Sequence, residues 1–150
     1  MTHRIEKRIE LRAPVSKVWR ALTDYRQFGE WFRVQLDGPF VAGGTVTGSV
    51  LYPGYEHLTW QAVVQQIEPE RLFSYTWHPY AVDPAVDYST ETPTLVEFTL
   101  KPTATGTLLT VVESGFDQIP AHRQFDAMRM NDQGWTAQMK NIEHHVAAQP

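Results

Sequence analysis

The chain has 150 residues, of which 42% are hydrophobic and 20% are charged, and its formal net charge is −4. This length predicts one globular domain over residues 1–150. The acidic balance argues against a nucleic-acid partner, and the absence of cysteine excludes disulfides and thiolate chemistry. The N-terminus lacks a signal-peptide core and no apolar run reaches membrane-span length, which predicts a soluble cytoplasmic protein with no membrane partner.

The first part of the chain predicts one strand followed by two short helices. Residues 4–12 alternate between apolar and charged side chains, as a half-buried strand does. Residues 14–23 predict a helix, because proline suits a first helical turn and the apolar residues recur at helical spacing. Asp24 and Gln27 have the spacing of a capping box that opens a second short helix towards Trp31.

From residue 34 onwards the hydrophobic period changes to two, which predicts β structure. Proline and glycine separate the alternating runs and mark turns between them. The predicted strands are 34–36, 45–52, 57–67, 71–77, 95–101 and 107–113. The segment 79–93 contains three prolines and several acids and is predicted to be a surface loop. Short connections between successive strands favour an antiparallel meander.

The last element is predicted to be a long amphipathic helix from Pro120 to Val146. At 100° per residue, its apolar side chains fall on one arc. The residues of this arc are Phe125, Met128, Trp135, Met139, Ile142 and Val146. Asp132 lies inside the arc, so it predicts either a helix-edge contact with solvent or a polar group in a pocket. Gly134 is a poor helix former and predicts a close helix approach or a local bend.

Several motifs occur along the chain in an order typical of one protein family. They are residues 13–19, Leu22-Thr23, residues 28–32, Gly43-Gly44, residues 67–72, Trp77, Gly106-Thr107, residues 113–116 and Gly134-Trp135. These motifs resemble the START-like (SRPBCC, birch-pollen-allergen-like) superfamily. Within it, the chain is similar to bacterial proteins related to the C-terminal domain of the activator of the ninety-kilodalton heat-shock-protein ATPase. The resemblance implies an α+β helix-grip fold, in which a curved antiparallel sheet wraps around the C-terminal helix with a cavity between them.

The aromatic side chains predict where a small molecule would bind. They supply more aromatic surface than a small core usually needs, although plain core packing is the alternative for each of them. We expect several to line a pocket of roughly 300–1,000 Å³, the usual size of a small-molecule site. The predicted ligand-binding residues are Trp31, Trp60, Tyr75, Trp77, His78, Phe98, Phe116, Met128, Asp132, Trp135 and Met139. Of these, Tyr75, His78 and Asp132 are the predicted polar contacts.

Three functional hypotheses follow from the residues and the resemblance. The first is a non-enzymatic domain that binds an apolar or aromatic small molecule without a cofactor or metal. The second is a protein-interaction module with a chaperone partner, as the family resemblance implies. The third is a cyclase or hydrolase of polyketide-like substrates, for which Asp132 or His78 would serve as the acid or base. A homodimer is also an open expectation, because an exposed strand edge needs protection or a partner.

Overall fold

The computed structural model describes residues 3–149. The strands are β1 (Arg4–Leu11), β2 (Val34–Leu36), β3 (Thr45–Val50), β4 (Thr59–Glu68), β5 (Leu72–Trp77), β6 (Thr94–Pro102) and β7 (Thr107–Ser114). The α-helices are α1 (Val15–Thr23), α2 (Tyr25–Phe32) and α3 (Ala121–Ala148). Short 3₁₀ turns cover Tyr88–Thr90 and Phe116–Gln118. Every predicted strand is observed, and the predicted ends differ from the observed ends by at most two residues.

Within the described residues, seven strands form one antiparallel sheet in the order β1-β7-β6-β5-β4-β3-β2. A register shift between Val64 and Gln66 interrupts the pairing of β4 with β5, and such bulges bend a strand. The helix α3 packs on the concave face of this sheet, with α1 and α2 beside it. The predicted α+β helix-grip architecture is therefore confirmed.

The strand register defines the face that looks towards α3. Residues directly opposite one another on paired strands point to the same side of a sheet. One such row crosses five strands from Val64 through Tyr75, Val96 and Glu113 to Ile5. All five side chains are buried. Four are apolar or aromatic, and the fifth is a carboxylate in the middle of the core.

The predicted capping box at α2 is correct in only one of its two halves. The side chain of Asp24 accepts hydrogen bonds from the backbone N–H groups of Arg26 and Gln27, as an N-cap residue does. The side chain of Gln27 does not return to Asp24 and instead contacts His145 of α3 at 3.1 Å. This contact joins the start of α2 to the last turns of α3.

The prediction that Phe125 faces the core is wrong, since its side chain is 75% exposed. At 100° per residue, Phe125 lies about 80° from Trp135, at one edge of the predicted arc. The buried arc is rotated the other way, towards Ala127 and Gln138. The amide of Gln138 donates to the Phe32 carbonyl oxygen, which satisfies a polar group that the hydrophobic pattern placed outside.

No helix among residues 3–149 combines the length and hydropathy that crossing a membrane would require.

Candidate functional site

The carboxylate of Glu113 is the polar centre of the space between the sheet and α3. It is fully buried on the concave face, near the end of β7. Four side chains of the described residues donate hydrogen bonds to it. The donors are Trp77 Nε1 at 2.7 Å, Thr94 Oγ1 at 2.6 Å, Asn131 Nδ2 at 2.8 Å and Trp135 Nε1 at 2.9 Å. Each carboxylate oxygen accepts two of these bonds, the pattern of an ionised carboxylate.

Aromatic rings occupy most of the region around Glu113. Trp77 and Trp135 have ring centroids 5.8 Å apart, and Phe32 lies 6.1 Å from the first and 6.0 Å from the second. On the sheet, Tyr75 contacts both Trp60 at 5.7 Å and Trp77 at 5.5 Å. Such offset and edge-on pairs are favourable beyond the area that they bury. The rings therefore form a continuous cluster from β4 to α3.

Two openings flank the ring of Trp77. The first is a small cavity of about 80 Å³ beside α3, which we call the inner cavity. It is lined by Phe32, Trp77, Asn131, Gly134, Trp135 and Gln138. The second is a cleft of about 580 Å³ between the ends of β4 and β5 and the segment 78–89, which we call the loop cleft. Its side chains include Trp60, Trp77, His78, Tyr80 and Tyr88. Of these two openings, the loop cleft is the one that has the size of a typical small-molecule site.

The loop that forms one wall of this cleft is anchored by Arg123 of α3. The guanidinium of Arg123 lies 2.7 Å from a carboxylate oxygen of Glu91, and both side chains are nearly buried. It also donates to the backbone carbonyls of Pro79 and Tyr80 at 3.1 and 3.0 Å. Its central carbon lies 4.7 Å from the ring centroid of Tyr88. One cation thus holds both ends of the segment 79–91.

We expect Arg123→Gln to lower the free energy of unfolding by about 2 kcal/mol. This loss is smaller than that for breaking a fully buried ion pair, because the Arg123–Glu91 pair keeps some contact with solvent. Amide hydrogen exchange in residues 79–91 should accelerate, since the loop loses its anchor. The control is Arg129→Gln, whose pair with Asp126 is exposed and 3.9 Å long. Equal effects of the two substitutions in denaturant titrations and exchange experiments would contradict this role of Arg123.

Two buried donors have no hydrogen-bond partner among the described residues, one on a residue that lines the cleft and the other on a ring in contact with it. These are Trp60 Nε1 and the Tyr75 hydroxyl, and the buried Nδ1 of His78 is also unpaired. Burial raises the pKa of Tyr75, and the negative charge of Glu113 raises it further. The hydroxyl is therefore a protonated donor at neutral pH. A buried unpaired donor costs about 1–3 kcal/mol, so these groups favour an acceptor that is not part of the fold.

The structure divides the predicted ligand-binding residues among several places. Trp60, Trp77 and His78 line the loop cleft, and Trp77 and Trp135 line the inner cavity. Tyr75 and Phe98 lie fully buried under these rings. Phe116 and Met139 are buried core residues, while Trp31 donates from Nε1 to the Ala21 carbonyl and borders a separate surface depression.

Asp132 does not enter the space between the sheet and α3. Its side chain is 54% exposed and forms an ion pair with Lys7 of β1 at 2.9 Å. Of the two interpretations of Asp132, the structure supports the helix-edge contact with solvent. Met128 lies beside it along a different groove, between α3 and the start of β1. Asp132 therefore lies outside the space where a buried polar group was considered, and the buried carboxylate between the sheet and α3 is that of Glu113.

Of the two explanations predicted for Gly134, the close helix approach is wrong, because a Cβ atom added there would meet nothing within 4 Å. No close helix approach requires this glycine. We expect Gly134→Ala to raise the free energy of unfolding by about 1 kcal/mol, the difference in helix propensity between the two residues. Gly29→Ala in α2 is the control, since its Cβ would collide with the Val34 carbonyl. Thermal unfolding that shows no gain for Gly134→Ala would contradict this account.

The sequence prediction missed Glu113, its two donors Thr94 and Asn131, and Gln138, which lines the inner cavity. The pattern that could have found Glu113 is the period of two in β7, where the buried positions are Thr107, Leu109, Val111 and Glu113. A glutamate in register with core residues must face the core unless the strand ends before it. Among residues 3–149, no three His, Asp or Glu side chains are grouped so that they could hold a metal ion.

Comparison with known proteins decides the family. The sequence profile described as "Activator of Hsp90 ATPase homolog 1-like protein" matches residues 12–147. The chain belongs to this family. The resemblance drawn from the sequence motifs is therefore confirmed. None of the curated proteins matches the chain significantly.

Solved structures of family-like proteins share the fold of this Activator of Hsp90 ATPase homolog 1-like chain. Protein MLL2253 from Mesorhizobium loti is 28% identical, with 98% of each chain covered and a TM-score of 0.77. DynU16, a protein of the dynemicin biosynthetic locus, is 22% identical with a TM-score of 0.76, and the match covers 99% of this chain and 48% of the DynU16 chain. The Aha1 dimer from Colwellia psychrerythraea is 17% identical, with coverages of 97% and 96% and a TM-score of 0.72.

Proposed function

We propose that this domain binds a small apolar or aromatic molecule with a hydrogen-bond acceptor in the loop cleft. The observation that carries the proposal is a cleft of about 580 Å³ whose wall includes Trp60, with an Nε1 that is unpaired among the described residues. Aromatic walls with a few polar groups are typical of small-molecule sites. The anchored loop supplies the opposite wall, so the site is largely formed before a ligand arrives.

The unpaired donors determine the kind of acceptor that fits. Trp60 Nε1 and the Tyr75 hydroxyl belong to rings whose centroids are 5.7 Å apart. Both can donate, and the negative charge of Glu113 acts on Tyr75 and disfavours a second anion, so a carbonyl or ether oxygen suits them better than a carboxylate. A ligand with such an oxygen on an aromatic body would satisfy the donors and bury its own apolar surface against Trp77.

The experiment compares two probes that differ mainly in the acceptor, 2-acetonaphthone and 2-ethylnaphthalene, by isothermal titration calorimetry. We expect the ketone to bind about fivefold more tightly, the effect of one neutral hydrogen bond. This preference should disappear in Trp60→Phe, which keeps a ring and removes the N–H. Trp19→Phe, on the remote helix α1, is the control and should keep the preference. Failure of both probes to bind, or an unchanged preference in Trp60→Phe, would refute the proposal.

A second candidate function is self-association through α3, favoured by the exposed ring of Phe125. This ring borders a groove of about 530 Å³ together with Ile5 and Met128. Asp126 and Arg129 lie close to it and carry opposite charges, so an antiparallel contact between two α3 helices allows Arg129 to pair with the partner's Asp126. The Aha1 protein from Colwellia psychrerythraea was solved as a dimer. Light scattering should show a dimer that Phe125→Asp dissociates and Val86→Asp leaves intact; a monomer at all concentrations would refute it.

The strand edge is a poorer dimer surface than α3. The edge strand β1 carries charged side chains at five of its eight positions. Charges on an edge strand oppose pairing with another chain.

Stimulation of a heat-shock ATPase remains the other candidate that family membership supports. A pull-down and an ATPase assay with the bacterial chaperone would test it, and the absence of both binding and stimulation would remove it.

The enzyme alternative now depends on His78 alone. Asp132 lies outside the loop cleft and is paired with Lys7, so it does not reach a ligand there. His78 lines the cleft and has an unpaired Nδ1 among the described residues. Turnover of a bound ketone or ester that is lost in His78→Ala, with binding retained, would favour the enzyme over the binding domain.

A further inference from the structure

We propose that the inner cavity is a subsite for an alkylated ammonium group carried by the ligand. The proposal deepens the proposed binding function and rests on it, because Trp77 forms a wall of both the loop cleft and the inner cavity. A ligand with an apolar aromatic body in the cleft and a compact cationic end beside α3 would use both openings.

The first argument is the charge of Glu113. Its carboxylate is fully buried, and none of the salt bridges among residues 3–149 includes it. All four hydrogen-bond donors to it are neutral groups. Neutral donors replace part of the lost hydration but leave the net negative charge in place. The potential in the adjoining inner cavity therefore favours a cation.

The second argument is the arrangement of rings around the inner cavity. Phe32, Trp77 and Trp135 all line the inner cavity and contact one another, with ring centroids 5.8 to 6.1 Å apart. A cation attracts the face of an aromatic ring within about 6 Å of its centroid, and tryptophan is the strongest partner. Both indole N–H groups point to Glu113. Hydrogen bonding to an anion polarises an indole and increases the negative charge of its face.

The third argument is the character of the remaining wall. Asn131 donates its Nδ2 to Glu113, so its amide oxygen points away from the carboxylate and can accept. The residues lining the inner cavity include neither Lys nor Arg, so no side chain of the wall competes with a ligand cation. The volume of about 80 Å³ is well below that of a complete ligand site, which suits a head group.

The test compares choline chloride with 3,3-dimethyl-1-butanol, in which carbon replaces the quaternary nitrogen. Binding is followed by tryptophan fluorescence and by line broadening of the probe methyl signals in proton NMR, with sodium chloride matching the ionic strength. We expect choline to bind about tenfold more tightly, because only the cation interacts with the ring faces and the buried charge. Equal binding of the two probes, or no choline binding, would overturn the inference.

Two variants locate the subsite. In Phe32→Leu the affinity for choline should fall about threefold while that of the neutral probe changes little, because one ring face is removed. In Glu113→Gln the preference for choline should disappear; if this variant fails to fold, Phe32→Leu decides the outcome. Glu97→Gln on the outer face of β6 is the control and should keep the preference. An unchanged preference in Phe32→Leu would overturn the inference.

The same samples separate this inference from the proposed function. If 2-acetonaphthone binds and choline does not, the loop cleft binds ligands and the ammonium subsite is refuted. If choline binds with the expected preference and the naphthyl probes do not, the cation subsite stands and the apolar site in the loop cleft is refuted. If none of the probes binds, both proposals fail.

Discussion

Replacing Glu113 with leucine is expected to lower the free energy of unfolding by about 3–4 kcal/mol. The substitution introduces an apolar side chain of similar size and removes the acceptor for four donors. Thr94 and Trp135 are buried, and each would lose its partner at a cost of about 1–3 kcal/mol. Trp77 and Asn131 are only half-buried and would recover hydrogen bonds with water. Urea titration followed by circular dichroism measures the loss.

The matched control for Glu113→Leu is Glu97→Leu in the neighbouring strand. Glu97 lies on the convex face of β6 and is not fully buried. Its replacement should change the stability by less than about 1 kcal/mol. If the Glu113 variant were as stable as this control, the hydrogen bonds around Glu113 would contribute nothing net. The carboxylate would then be retained for another reason, such as the ammonium subsite.

The second large effect is expected for Trp135→Ala, with a loss of about 3–5 kcal/mol. Trp135 is 2% exposed and packs against Phe32, Trp77 and Phe98. Removing the indole leaves a cavity between α3 and the sheet, which the surrounding rings can fill only partly. The loss is a large part of a typical total stability of about 5–15 kcal/mol. Chemical denaturation measures it, and a loss below about 1 kcal/mol would place Trp135 outside the core.

Trp135→Phe separates the packing of the ring from its hydrogen bond. The variant keeps an aromatic ring next to Phe98 and removes the N–H that donates to Glu113 together with a small part of the indole. We expect a loss of about 1.5–3 kcal/mol, the range for one hydrogen bond to a charged group. A loss equal to that of the alanine variant would mean that the hydrogen bond, not the cavity, dominates.

The fold could be predicted because its elements have clear hydrophobic periods. The strands alternate with a period of two, and the short connections leave little choice of topology. The phase of α3 was harder to predict, because Asn131 and Gln138 are polar residues that face the core. Both are satisfied by specific partners, Glu113 and the Phe32 carbonyl, that come from distant parts of the chain. A sequence pattern contains no information about such partners.

The candidate site was predicted only in part for the same reason. Trp60, Trp77 and His78 line one cleft. The aromatic content of the strands and the strand ends had indicated that region. The division of the space into a loop cleft and an inner cavity depends on how large rings fill the concave face. Asp132 was predicted as a pocket residue because it interrupts the apolar arc of α3. Glu113 occupies a core-facing position of the alternating pattern in β7, and it differs from the other core-facing residues of that strand in its charge.

The pairing of β1 with β7 has a consequence for how the protein is made. Arg4 lies opposite Ser114, so the first strand leaves the ribosome about 110 residues before its neighbour is complete. At a translation rate of about 5–20 residues per second, β1 waits roughly 5–20 s without a partner. Its alternating charges would keep the nascent strand from pairing with other chains during this delay. Closing the sheet across such a separation is expected to be the slow step of folding.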